Sequence, residues 1–275
     1  MLGFFSPWTE PRLVGASEGY LAIFKPAGMH SAAMGGEDGR TGGSLAGWIS
    51  QRGAGEPWLQ ALRDAWLRVS REPGLVRGAQ EFGMLSRLDK DTSGLILFAR
   101  TPEAFMEAKA LQGQGRIAKT YRLLAAPGRG GAPASMEGAD PPRITVDFQA
   151  LLAEGQMAEI LSRFRSFGPR GAKVACLGPD ARDGRAKREA PGIYRTDLRP
   201  LDEDEGCFLI EAAISRGFRH QIRAHLAWAG HPIIGDRLYG GAQAPRMYLE
   251  AVAVELRGDA FPVLRFCLEP GEGTP

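Results

Sequence analysis

Apolar residues in this chain gather into short runs of strand length, and none is long. Tyr20–Pro26, Met84–Leu88, Leu95–Ala99, Ile117–Ala125, Cys207–Ile214, Met247–Leu256 and Val263–Leu268 each read as a strand bounded by glycine, proline or charged residues. Helical patterns are fewer. Leu45–Arg71 repeats apolar residues at Leu59, Leu62, Trp66 and Val69, with Pro57 suited to an early turn. Thr101-Pro102-Glu103 opens a second helix that fades near Gly113-Gln114-Gly115, and Arg219–Ala229 forms a third, ended by Gly230. Strands and helices in irregular order argue for an α+β fold over a doubly wound one.

The chain of 275 residues is long enough to bury a sizeable core, and 44% hydrophobic with 24% charged residues excludes a disordered or fibrous chain. No apolar run approaches the roughly 20 residues that cross a bilayer. MLGFFSPWTEPRL lacks the basic start and apolar stretch of a signal peptide. Cys176, Cys207 and Cys267 are widely spaced without a CxxC pair, so they read as small buried hydrophobes in a reducing compartment, and a cytoplasmic location follows. Met34–Gly43 is a glycine-rich loop without the GK[ST] of a P-loop. Gly128–Pro142 reads as a surface loop within one domain. Trp58 and Trp66 read as packing residues.

The net charge of +2 announces no polyanionic partner, but it is unevenly spread. Arg163–Arg195 holds nine basic residues against Asp180, Asp183 and Glu189, a local +6. Such a segment is either a phosphate-binding surface or a solvated, mobile loop.

Two segments carry chemistry. In SRLDKDTSG (Ser86–Gly94) an aspartate ends an apolar strand and meets small polar residues and glycine. A carboxylate presented on a tight turn serves as nucleophile, base or metal ligand. The same pattern fits an aspartate closing an Asx-turn. In Ser215–Tyr239 the residues His220, His225 and His231 stand among Arg216, Arg219, Arg223 and Arg237. A zinc site is disfavoured, since no HExxH occurs and the first two histidines miss the spacing of a shared helical face.

FKPAGM (Phe24–Met29), RLDKDTSGLILFAR (Arg87–Arg100), KTY (Lys119–Tyr121) and HQIRAHLAWAGHPIIGDRLYG (His220–Gly240) stand in the order found in the RluA-type RNA pseudouridine synthase family, which the chain resembles over roughly residues 18–270. The resemblance implies a single catalytic domain on a mixed, largely antiparallel sheet with flanking helices. It implies an isomerase that turns a uridine of structured RNA, ribosomal or transfer, into pseudouridine without metal or cofactor. Asp89 takes the catalytic position, Tyr121 stacks on the flipped base and moves a proton, and Arg223 pairs with the aspartate beside Ile222. Arg87 fills the vacancy left in the RNA stack. Arg216, Arg219, His220, Gln221 and Lys25 are candidate RNA contacts. Lys25 reads equally as a solvated strand end, and His220 and Gln221 equally as helix-starting groups. His225 and His231 read as core or turn histidines, and Asp236 as a turn cap.

The chemistry suits these residue types. The glycosidic bond must break, the uracil turn, and a carbon–carbon bond form at carbon 5. A deprotonated carboxylate attacks carbon 1′ or takes a sugar proton, and a neighbouring arginine holds it ionised. An aromatic platform offsets part of the cost of unstacking the base. Three positions depart from the family pattern: Ser86 and Glu250 stand where histidine is frequent, and Phe218 where arginine is usual. About seventeen residues precede the first expected strand, too few for an appended RNA-binding domain, and the expected protein is a monomer. A catalytically silent RNA-binding factor is the runner-up, and a glycoside hydrolase would want a second carboxylate, for which Asp91 in the turn is a poor candidate.

Overall fold

The computed structural model describes residues 1–32, 43–52, 56–68, 75, 80–128, 144–180, 192–259 and 263–268. In chain order the strands are β1 (Arg12–Ala16), β2 (Tyr20–Lys25), β3 (Ser93–Ala99), β4 (Ile117–Ala125), β5 (Ala158–Phe167), β6 (Lys173–Leu177), β7 (Tyr194–Asp204), β8 (Cys207–Ile214), β9 (Leu249–Leu256) and β10 (Leu264–Cys267). The helices are α1 (Leu45–Arg52), α2 (Pro57–Leu67), α3 (Pro102–Gly113), α4 (Phe148–Glu154) and α5 (Gln221–Trp228). They pack as two compact units: Ser6–Ala118 with Glu250–Pro275, and Met1–Phe5 with Lys119–Leu249. Both are mixed α/β, and their sheets are mostly antiparallel.

In the first unit the strands lie in the order β1-β2-β3-β9, with β10 on β9. All these pairs are antiparallel except β3 with β9. Every residue of β2 and β3 is buried. That explains their continuous apolar runs, since a strand covered on both faces has no polar alternation. Leu45 and Ile49 of α1, Leu59, Leu62 and Trp66 of α2, and Phe105, Ala108 and Leu111 of α3 share one core with Ile23, Phe24, Ile96 and Phe98. Thr101 caps α3 as expected, its Oγ1 accepting from Ala104 N–H at 3.2 Å. The β2–β3 register sets Lys25 opposite Gly94. The turn leaving β2 therefore lies beside the turn entering β3.

In the second unit the order is β4-β8-β7-β5-β6, all antiparallel. The face of β5 formed by Ile160, Ser162 and Phe164 is buried, and α5, buried at every residue, packs on β6 and β7. At the other end Phe5 packs with Leu124 and Leu209.

Several expectations need correction. Leu45–Arg71 is two helices over its described residues. Pro57 starts the second, holding Glu56 extended at φ −124° and ψ 114°. Of Met84–Leu88 only Met84 bridges a strand, at Phe98. Arg163–Arg195 is no solvated loop where it is described: it contains β6, ends in β7, and Arg163 and Arg165 lie on β5, with Arg165 buried. Its Arg182, Arg185, Lys187 and Arg188 lie outside the described residues, as do residues 34–42 of the Met34–Gly43 loop and nearly all of Gly128–Pro142. Only Cys176 of the three cysteines is fully buried, Cys207 being half-buried and Cys267 exposed.

Candidate active site

Asp89 opens a turn closed by Thr92 N–H donating to Asp89 O at 3.2 Å. Neighbouring segments of the first unit grip this turn on both sides. Upstream, Ser31 Oγ accepts from Leu88 N–H at 3.0 Å and donates to Leu88 O at 2.8 Å. The backbone of Leu88 is thereby satisfied by one side chain instead of a strand partner, so the expected strand ends early. Gly28 N–H donates to Lys90 O at 2.9 Å, and Gly28 has φ +82°.

Lys25 completes that grip. It is fully buried, and Nζ donates to the carbonyls of Pro26, Met29 and Lys90 at 2.9, 2.8 and 3.1 Å. It is therefore no solvated strand end. Its three donors are occupied by the two turns, which it ties together. Burial pushes its pKa down to about 7, against the opposing pull of the Asp89 and Asp91 carboxylates.

Downstream the turn runs into β3. Gly94 stands at φ +114°, where a Cβ would meet Ala251 N and O of β9 at 2.3 Å, so only glycine permits this approach. Beside it the buried Glu250 accepts from Ser93 Oγ at 2.9 Å, from Ser6 Oγ at 3.0 Å and from Ser6 N–H at 3.0 Å. The glutamate in a frequent histidine position is thus a satisfied buried acceptor. Asp89 itself is half-buried and Arg87 exposed, with Arg87 paired to Glu81.

The second unit positions the other candidates. Tyr121, on β4 opposite Ala212 of β8, is 7% exposed. Arg223 lies in the first turn of α5 and is gripped by Asp236, Nε donating to Oδ2 at 2.7 Å and Nη2 to Oδ1 at 2.9 Å. Asp236 also accepts from the N–H groups of Leu238 and Tyr239 at 3.0 and 3.2 Å, the turn cap expected of it. A Cβ at Gly235 would stand 1.9 Å from Arg246 O, so this turn too admits only glycine there. The Arg223 guanidinium lies 5.3 Å from the Tyr239 ring centroid. Tyr239 is fully buried, and burial pushes its phenol pKa up.

His220 precedes α5 in a left-handed conformation, φ +58°, with Nδ1 3.1 Å from Tyr239 Oη. Gln221 is buried: its Oε1 accepts from Phe218 N–H at 2.9 Å, and its Nε2 donates to Arg195 O at 2.8 Å and Thr196 Oγ1 at 3.0 Å. That favours the helix-starting role for Gln221. Phe218 stacks on Phe164 at 5.1 Å, so the position usual for arginine belongs here to an aromatic core. Arg216 is exposed and lies over Tyr194 at 4.7 Å, while the exposed Arg219 donates to Gly171 O. His225 is a core histidine bonded to Ser162 and Thr196 at 2.8 Å each, with burial pushing its pKa down to about 3. His231 sits at a turn, 3.1 Å from Ala229 O.

Ser31 and the grip of Asp236 on Arg223 are the parts the sequence reading missed. Nothing near Ser31 in the sequence marks it as the partner of Leu88. The Arg223–Asp236 pair joins a helix to a turn thirteen residues on, which no helical or strand periodicity links. Among the described residues no group of three His, Cys, Asp or Glu side chains could hold a metal ion, and no helix is long and apolar enough to cross a membrane.

Comparison with known proteins agrees with this architecture. The chain is 30% identical over 175 residues to an uncharacterized RNA pseudouridine synthase of Chloroflexus aurantiacus, covering 62% of this chain and 43% of that protein. It is 31% identical over 214 residues to ribosomal large subunit pseudouridine synthase D of Xylella fastidiosa, covering 78% of this chain and 53% of the relative. The matched stretch thus spans about half the length of these relatives. The structure of human RNA pseudouridylate synthase domain containing 1 superposes with a TM-score of 0.59 at 18% identity, covering 96% of this chain and 86% of the other, a likeness of fold. The sequence pattern of the RNA pseudouridylate synthase family matches residues 19–228, from the start of β2 to the end of α5. On that match the chain belongs to the RNA pseudouridylate synthase family.

Proposed function

We propose that the chain is an RNA pseudouridine synthase that isomerises a specific uridine of structured RNA, with Asp89 as its catalytic group. The observation that carries the reading is the grip on the Asp89 turn. Ser31, Lys25 and Gly28 fix its entry and Ser93 with Glu250 its exit. A carboxylate that must meet one sugar carbon gains from such fixed placement. A loop whose aspartate only closed an Asx-turn would need no such support.

In this reading the uridine leaves the RNA stack and Arg87 takes its place. Tyr121 stacks on the flipped base, offsetting part of the few kcal/mol that unstacking costs. Asp89 then attacks carbon 1′ or removes a sugar proton, and either path breaks the bond to nitrogen 1. The uracil turns, carbon 5 bonds to carbon 1′, and the carbon 5 proton departs with Tyr121 placed to move it. Arg223, held by Asp236, is the residue assigned to pair with the Asp89 carboxylate and orient it. The chain acts as a single catalytic domain, in the cytoplasm and as a monomer. Arg87, Arg216, Arg219 and His220 are the proposed RNA contacts. Lys25, whose Nζ meets three backbone carbonyls, is assigned to holding the turn.

Ribosomal RNA is the favoured substrate, as the name of the Xylella relative suggests for that protein. A transcriptome-wide pseudouridine map of wild-type and deletion cells tests the reading. A site in large-subunit ribosomal RNA missing from the deletion map is the expected result. Identical maps would contradict it.

A further inference from the structure

Arg87 is held in a way that the isomerisation chemistry does not require. Its Nε donates to Glu81 Oε2 at 3.2 Å and its Nη2 to Glu81 Oε1, a two-point contact along one edge of the guanidinium. The carboxylate side chain is 9% exposed and the arginine side chain 48%. One partner is anchored inside the protein and the other reaches outward from it.

The anchoring extends into the backbone. Met84 N–H donates to Glu81 O at 3.1 Å, and Ala99 N–H donates to Gly83 O at 2.9 Å, which fixes the Glu81–Met84 turn to the end of β3. Phe82 and Gly83 both take left-handed conformations, φ +53° and +79°, and a Cβ on Gly83 would meet Trp66 at 2.5 Å. A bulky residue seldom adopts that conformation unless the surroundings impose it. On the other side, Leu85 N–H donates to Leu97 O at 2.9 Å and Ser31 grips Leu88. The backbone is therefore fixed on both sides of Arg87, and the carboxylate fixes its side chain.

An arginine in a base-stack vacancy must present its flat faces to the bases above and below. A carboxylate bound at the edge leaves those faces available for stacking. A free arginine would lose rotamer freedom on entering RNA, and one already held loses less. We propose that Glu81 is a positioning residue that holds Arg87 extended and flat, ready to occupy the place of the flipped uridine. The proposal rests on the reading of Arg87 given above.

The test uses the full chain and an RNA hairpin carrying the uridine identified by the deletion map. Kd, KM, kcat and thermal midpoint are measured for wild type, Glu81→Gln, Arg87→Ala and the double variant. Glu81→Gln is expected to raise Kd and KM about five- to tenfold, more than it lowers kcat, and to add nothing in the Arg87→Ala background. Should Glu81→Gln fold poorly, Arg87→Lys serves in its place. It keeps the charge but not the flat two-point edge, and it should reproduce the loss of affinity. Wild-type Kd and KM in Glu81→Gln or, where that variant folds poorly, in Arg87→Lys would overturn the proposal. An equal loss from Glu81→Gln with and without Arg87 would overturn it too, since Glu81 would then be merely structural. If Arg87→Ala itself binds and turns over normally, it is the reading of Arg87 that fails, and Glu81 loses its role with it.

Discussion

Ser31 and Lys25 divide the work of holding the Asp89 turn, one at Leu88 and the other at Lys90. Ser31→Ala removes both hydrogen bonds to Leu88 and leaves its peptide groups short of partners. The expected cost is about 1–3 kcal/mol of stability, together with slower turnover as Asp89 loses its fixed placement. Urea unfolding and initial rates check this, and a wild-type rate would show that the turn holds its shape without the serine. Lys25 makes a pH prediction. Between about pH 7, its folded pKa, and 10.5 the unfolded chain carries a proton on Lys25 that the folded chain lacks. Unfolding therefore takes up a proton, so this lysine makes stability rise with pH across that window. Lys25→Met should lose that rise in urea midpoints measured from pH 7 to 10. An identical slope in the variant would remove Lys25 as its source. The sequence showed the lysine and the proline-glycine turn after it, but not that the turn folds back over its own ammonium group. That is why a phosphate contact or a solvated end looked reasonable.

The elements read correctly from sequence are those whose apolar pattern is decided locally. β2, β3 and β8 are near-continuous apolar runs, and α3 has its Thr101 cap and Pro102 start. The elements missed draw their burial from partners far along the chain. β5 alternates Ile160, Ser162 and Phe164 inward with Glu159, Leu161 and Arg163 on the other face, and its arginines masked the strand pattern. β7 carries Pro200, a residue seldom found inside a strand, and its register shifts between Pro200 and Asp202. α4 has seven residues, too few for periodicity to show, although Asp147 caps it through Ala150 N–H at 3.0 Å. On α5 the decisive contact is Arg223 with Asp236. Asp236→Asn keeps the turn's acceptor oxygen but leaves the buried guanidinium without its carboxylate. It should destabilise the protein by about 3–5 kcal/mol, read by urea unfolding. A midpoint at the wild-type position would show that Arg223 is held by other groups.

Across the whole molecule the order of four motifs was legible, and the family match over residues 19–228 agrees with it. The division into two units was not legible. The chain passes between them after Phe5, ahead of β1, then inside β4, after Ala118, and inside β9, after Leu249. The latter two crossings fall within unbroken strands, where neither composition nor turn residues mark a boundary. The surroundings of Phe218 and Glu250 were likewise hidden, because a ring stack with Phe164 and hydrogen bonds from Ser6 and Ser93 join segments remote in sequence.

The central claim is that Asp89, fixed in its gripped turn, performs the isomerisation. It is tested most directly by Asp89→Asn, which keeps the size of the side chain and removes its negative charge. Pseudouridine formation and RNA affinity are measured side by side on the hairpin substrate. The account predicts that turnover falls by several powers of ten while Kd stays within about twofold of wild type. Pseudouridine formed at even about a tenth of the wild-type rate would contradict it, because an essential nucleophile or base cannot be lost so cheaply.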